Sequence, residues 1–387
     1  MKDGKTAGRQ DGKQDGRVAG RQDGSVMGRL AVILAAGVLL GTLPLAAQGR
    51  LYVTNQDDAT VSVIDLATHQ VVETIDFQKH GFTPNAKPHH AQVEPDGSFW
   101  YLTLIGGNKV LKLDRENRIV GSVDMEVPGL LALDPTTDLL VVGHSMSAVN
   151  PPRRIVVIRR SDMSVVDEFE VFFPRPHALV VDPRGKYAYV ASLGVNQLAS
   201  VRLEDGQMEL VDYEGPPQTF TQFAVSPDAR WLVATAQTAN QLVVFDISEP
   251  GKPRLARSIP LEKGPFEPVF TRDGRWVFVT NLDANVVTVI DALRWEPLEV
   301  IRHQAFRQPH GVALSPDGRY VYVSNRYQAG GAHDHEGQKA TGSGNVMAIC
   351  IATRQVKAVV PVGHYAAGLG APAVAPAPDS TIPPDCR

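Results

Sequence analysis

From residue 51 onward the chain alternates apolar and polar positions with a period of two. The stretches "LYVTN" at 51–55, "VSVID" at 61–65, "WVFVTN" at 276–281 and "YVYVSN" at 320–325 place β-branched or aromatic side chains at every second position. That period is the signature of a strand, in which successive side chains face opposite ways. Turn signals punctuate the strands: Pro95-Asp96-Gly97 and Pro316-Asp317-Gly318 combine a residue that fixes φ with one that tolerates positive φ. No segment after residue 48 sustains the 3.6-residue period of an amphipathic helix. Two-layer α/β folds are thereby excluded.

The strands recur as a unit. Each copy opens with Pro-x and a short apolar strand, passes through a tight turn, and continues into alternating strands. The clearest copy is "PHGVALSPDGRYVYVSN" from Pro309; "PHALVVDPRGKYAYVAS" from Pro176, "PHHAQVEPDGSFWYLTL" from Pro88 and "PGLLALDPTTDLLVVGH" from Pro128 share its frame. Degenerate copies start at Phe220 and Pro265. The anchors lie roughly 40 to 48 residues apart, the length of a four-stranded propeller blade. The chain enters the array in mid-unit at "RLYVTN", without an innermost strand, and "HYAAGLGAPAV" near the C-terminus reads as a lone innermost strand. The expectation is an all-β, seven-bladed β-propeller over residues 48–375, with blade one closed by the C-terminal strand at His364 to Val374. Closure removes the sheet edges that an open array would expose.

The ends carry other signals. Residues 1–26 repeat Gly-Arg-Gln-Asp-Gly, contain few apolar residues and read as disordered, upstream of the true start at Met27. Residues 27–47 read as a secretory signal peptide: Arg29 is the basic flank, Leu30 to Leu45 the apolar run, and Ala46-Ala47 the small residues for cleavage. The alternative is an uncleaved membrane anchor. Residues 376–387 form a Pro-rich tail. These features place the protein in the periplasm or outside the cell. The formal net charge of -4 supplies no basic field, so nucleic acid is excluded as a partner, as is a membrane beyond that anchor. The two cysteines, Cys350 and Cys386, form neither Cys-x-x-Cys nor a haem-attachment motif. They either pair, tethering the tail, or leave a buried thiol and a loose end.

The histidines are the candidate chemistry. If each innermost strand runs from the top face to the bottom, His89, His177 and His310 share one column, after the Pro that opens the strand at the channel mouth. His90 adjoins His89 and faces the other way. His144 ends a second strand on top, and His364 begins the closing segment. Blade seven carries a long top-face insertion with His333, Asp334, His335 and Glu336. Several imidazoles at one mouth point to a transition-metal site, copper preferred, with zinc or another divalent ion as the alternative. The competing explanation is a His that hydrogen-bonds neighbouring backbone within the repeat. The insertion is either part of the ligand set or a lid.

Three resemblances follow from these residues. "LYVTN", "WVFVTN" and "YVYVSN" resemble the YVTN-type propeller repeat of secreted and surface proteins, which implies the fold over nearly the whole mature chain and leaves function open. The arrangement of His89, His90, His144, His177, His310 and His364 resembles the propeller domain of nitrous oxide reductase, where a His-His pair and single His residues hold a copper-sulfide cluster. Here Thr221 and Phe266 stand at two positions of that column, and the electron-feeding cupredoxin domain is absent, so a smaller copper site is what the resemblance implies. "NKVLKLDREN" at 108–117 is similar to streptogramin-lyase propellers, which implies a metal-dependent lyase with His310 or His335 as general base.

Other chemistries lack their motifs: no Gly-x-Ser-x-Gly, phosphate loop or dinucleotide fingerprint occurs. Three classes of function remain. One is a metal-binding propeller, one a non-enzymatic scaffold for a protein, polymer or small-molecule ligand on the top face, and one a metal-dependent lyase or lactonase-like enzyme.

Overall fold

The computed structural model describes residues 49–145, 152–327, 342–373 and 386. Among the described residues, strands numbered β1–β28 along the chain form seven four-stranded antiparallel sheets, and the helical content is two short 3-10 turns. The protein is a seven-bladed β-propeller. The two terminal expectations, a disordered start over 1–26 and a signal peptide over 27–47, lie outside the described residues, as does the tail apart from Cys386.

Each predicted anchor opens an innermost strand: β4 (Pro88–Val93), β8 (Pro128–Leu133), β12 (Pro176–Val181), β16 (Phe220–Val225), β20 (Pro265–Phe270) and β24 (Pro309–Leu314). Blade one takes β1 (Arg50–Asn55), β2 (Thr60–Asp65) and β3 (Gln70–Asp76) from the start of the propeller and β28 (Ala366–Gly370) from its end. β28 pairs with β1 through Tyr52 opposite Gly370 and Val53 opposite Leu369. The ring is therefore closed by the C-terminal strand, as the repeat predicts. One boundary differs. His364 is the last residue of β27 (Val356–His364), the outermost strand of blade seven, and Tyr365, at φ 57°, turns the chain into β28.

The period-two pattern is satisfied by blade-on-blade packing. Leu51 and Val53 of β1 pack with Tyr320 and Tyr322 of blade seven. Tyr52, on the opposite face, packs with Trp100 and Leu102 of blade two, its ring stacked on Trp100 at 4.3 Å. Both faces of an inner strand are thus buried, which is why these strands read as nearly continuous apolar runs. The outermost strands face solvent on one side, and Val72 of β3 is 57% exposed. On the bottom face the Pro-Asp-Gly turns place Gly97 and Gly318 at φ 68° and 69°, where a Cβ would be strained.

The top of each blade has its own repeated backbone. The residue before every innermost strand is left-handed: Lys87, Val127, Arg175, Thr219, Gly264, Gln308 and Tyr365. The next residues form a β-bulge against the second strand, as between Pro88 and Ala91 or between Pro309 and Val312. A bulge leaves one backbone N–H outside the ladder and re-aims the side chains beside it. That unpaired N–H explains the Thr of the YVTN-like repeat. In β4 the His90 N–H donates to Thr103 Oγ1 at 3.1 Å, and Thr103 Oγ1 donates onward to the Gly129 carbonyl of blade three at 2.8 Å. Thr54, Thr235, Thr280 and Ser324 repeat the pattern, each accepting from its own blade and donating to the next. Five hydroxyls form a belt around the axis, satisfying buried backbone groups that would otherwise cost stability.

Candidate functional site

The belt fixes where the candidate histidines point. His89, His177 and His310 do share one column, at the bulge, and all three are buried. Their partners differ. The Gln56 amide nitrogen lies 2.9 Å from His89 Nδ1, so that nitrogen accepts. His177 Nδ1 donates to the Thr221 carbonyl of blade five at 2.8 Å. The His310 ring lies against Phe266, centroids 4.1 Å apart, with the His310 carbonyl accepting from Thr280.

His90 faces the opposite neighbour from His89, as strand alternation predicts. Its Nδ1 accepts the Leu131 N–H of blade three at 3.1 Å. That bond occupies the only lone pair of a neutral imidazole and leaves the proton on Nε2. Neutral His90 can donate from Nε2 but offers no nitrogen to a metal. Burial holds His90 at about 4, helped by the nearby His177, and burial likewise holds His177 at about 4. Both rings are neutral at physiological pH.

His144 ends β9 (Leu139–His144) at the position that Asn55, Asn281 and Asn325 occupy in other blades. Its Nδ1 donates to the Glu126 carbonyl at 2.8 Å, as the Asn281 amide donates to the Glu262 carbonyl. It does the work of the repeat's Asn, closing the loop that enters the blade. His364 stands on the top face, 46% exposed at its side chain. Its Nδ1 lies 3.0 Å from Asp58 Oδ1, and the same carboxylate accepts the His364 N–H at 2.7 Å. The orienting carboxylate leaves the Nε2 lone pair outward. His333 and His335 lie outside the described residues.

Among the described residues no three His, Cys, Asp or Glu side chains come together in a group that could hold a metal ion; His333 and His335 of the expected set are not among them. The bulge and the cross-blade hydrogen bonds separate rings that share a column in sequence.

Two groups escape a sequence reading of the histidines. Glu267 occupies on β20 the position that His90 holds on β4, and it faces the channel. Burial raises its carboxyl to about 8, opposed by the Val312 N–H. The signal was a Glu inside an innermost strand, in "PFEPVF". Arg326 is fully buried on the top face, its guanidinium 4.7 Å above the Tyr365 ring, where Gln56 and Gln237 stand in other blades. Its sign was a charged residue directly after "YVYVSN".

The fold and these positions define a seven-bladed propeller protein. Residues 218–293 match the family described as "Lactonase, 7-bladed beta-propeller". A dihydro-heme d1 dehydrogenase from Pseudomonas aeruginosa is 27% identical over 159 residues, 39% of this chain and 32% of that protein. The match thus spans about a third of the relative's length. Among solved structures, a functionally unknown protein from Desulfotomaculum acetoxidans superposes with a TM-score of 0.68 at 13% identity, covering 85% of this chain and 99% of that one. Dihydro-heme d1 dehydrogenase NirN in complex with DHE superposes with a TM-score of 0.55 at 17% identity, covering 83% and 75%. At these identities the structures speak for the fold. No described helix is long and apolar enough to cross a membrane.

Proposed function

We propose that this propeller binds a metal-bearing tetrapyrrole on its top face, with His364 as the protein's ligand to the metal. The His364–Asp58 pair carries the reading. Ligating histidines characteristically donate their second ring nitrogen to a carboxylate, which fixes the tautomer and orients the ring. Asp58 does this at 3.0 Å, and among the described candidates His364 is the one exposed enough to meet an incoming ligand. A bare copper or zinc ion needs several protein donors. A macrocycle brings four of its own, so a single imidazole suffices. The absence of a three-ligand group among the described residues favours the macrocycle over the bare ion. The dihydro-heme d1 dehydrogenase relative supports the same ligand class. When bound, the group supplies the metal's redox chemistry. The chain's own residues orient the ligating nitrogen and hold the top of blades one and seven together. The disulfide between Cys350 and Cys386 suits a periplasmic or extracellular location.

The test is titration of the purified, untagged chain with ferric haem, followed by its intense near-ultraviolet band. Saturation at one haem per chain, with His364→Ala weakening binding by about tenfold or more, supports the assignment. Stoichiometric copper retained without haem would move the function to a bare-ion site. Binding of neither would leave the scaffold reading.

A further inference from the structure

The central channel holds a second feature, distinct from the His364–Asp58 pair. A cavity of about 440 Å³ opens toward the bottom of the propeller. His90, Gln92 and Glu267 line its inner part, near the starts of β4 and β20. Val269, Phe270, Leu314 and Leu369 line the walls leading out. The cavity thus has largely apolar walls, with a carboxyl and two neutral polar groups in its inner part.

We infer that this cavity binds an organic amine, with the ammonium on the Glu267 carboxylate and the hydrocarbon body against the apolar walls.

Glu267 is half-buried between largely apolar walls, where a carboxylate is stabilised best beside a cation. Among the described residues none supplies one to Glu267: burial acts on it with the Val312 N–H as the opposing influence. His90, the histidine of β4 that lines the cavity, is neutral. The parts of β16, β24 and β28 that line the cavity bear no charge. Arg272, beyond the end of β20 at the mouth, donates to the Ser315 carbonyl at 3.3 Å and has Asp317 as its electrostatic counterpart. These surroundings therefore favour the neutral carboxyl of Glu267 until a cation arrives from outside. Gln92 can accept a further ammonium hydrogen bond.

Isothermal titration of the full chain with 2-phenylethylamine at pH 7 tests this, run in two buffers of different ionisation heat. One-to-one binding with net proton release is the expected result, because the raised Glu267 carboxyl must ionise to receive the cation. Glu267→Gln, which keeps the shape, should weaken binding by about tenfold or more. The inference is overturned by absent binding, by binding without proton release, or by an unaffected Glu267→Gln. Tighter binding of 3-phenylpropionate, the anionic counterpart, would also overturn it. The proton count on the native protein needs no variant, and haem binding at the top face is read independently.

Discussion

His177 Nδ1 donates to the Thr221 carbonyl where the belt of hydroxyls has a gap between blades four and five. In blade five Thr235 reaches the Phe266 carbonyl; the equivalent residue of blade four is Ala191, which has no hydroxyl to give. The imidazole replaces it from the innermost strand. His177→Ala should therefore cost about 1–3 kcal/mol, the penalty of a buried carbonyl left without a donor. Adding Ala191→Thr should recover a large part of that loss. Urea unfolding of the two single variants and the double variant measures it. Additive effects, with no recovery, would show that His177 is not a member of the belt.

The channel groups predict the pH of maximum stability. His90 and His177 fall from the ordinary 6.5 to about 4 on folding, so the unfolded chain binds more protons than the native one between those values. Their contribution is complete above about pH 6.5 and is lost as pH falls toward 4. Glu267 has the opposite sign. Its rise from 4.5 to about 8 means that the native state holds the extra proton, so stability drains as pH rises through that range. Two protons against one give a net gain up to about pH 6.5 and a net loss of about 1.4 kcal/mol per pH unit from there to about 8. A stability maximum near pH 6.5 is expected in denaturant melts across pH. Glu267→Gln should flatten the alkaline side and leave the acid side in place. An unchanged alkaline slope in that variant would remove Glu267 as its cause.

These effects mark the boundary of what the sequence makes legible. The six anchors, the blade length and the closing strand follow from periodicity, because burial on both faces imposes one pattern on every inner strand. The shared column of His89, His177 and His310 is equally visible. The direction of each ring is not. It depends on a bulge and on partners in the neighbouring blade, such as Leu131 for His90 and Gln56 for His89. Nothing near His90 in sequence announces that its lone pair is spent 41 residues away. Likewise "VVPVGHYAAGLG" is an unbroken run, and only the left-handed Tyr365 shows that His364 belongs to the outer strand of blade seven and not to the closing strand.

The disulfide closes the same region covalently. Cys350 and Cys386 are bonded, with Cα atoms 5.7 Å apart and a sequence separation of 36, a loop that contains β27 and β28. Cys350 lies in β26 (Ser343–Cys350), and both sulfurs are buried with Tyr320 and Leu51 between blades seven and one. A loop of this length restricts the unfolded chain enough to contribute about 3–4 kcal/mol. Cys386→Ser should lower the melting temperature by several degrees under oxidising conditions and make it insensitive to reductant. A variant that melts like the native protein would show that the tether adds nothing to a ring already held by strand pairing.

That pairing yields the sharpest prediction about the fold. β28 is the innermost strand of blade one, and it borders blades seven and two as well. Gly368 and Gly370 pack so closely on β4 that a Cβ on Gly368 would stand 2.3 Å from the His89 carbonyl oxygen. Thr54 Oγ1 takes the Gly368 N–H at 2.8 Å, and Ser324 Oγ donates to the Ala367 carbonyl, so β28 also carries two links of the belt. Ending the chain at His364 removes all of this and unpairs the inner edge of β1. Such an edge is a template for another strand. The truncated protein should melt at a lower temperature and associate through that edge, read by light scattering. A synthetic peptide of residues 365–373 should restore the monomer by re-forming the fourth strand. Gly368→Val in the full chain should mimic the truncation, because no rotamer avoids a backbone carbonyl at that distance. A truncated chain that stays monomeric with unchanged melting would mean that blade one is stable with three strands and that closure is not what holds the ring.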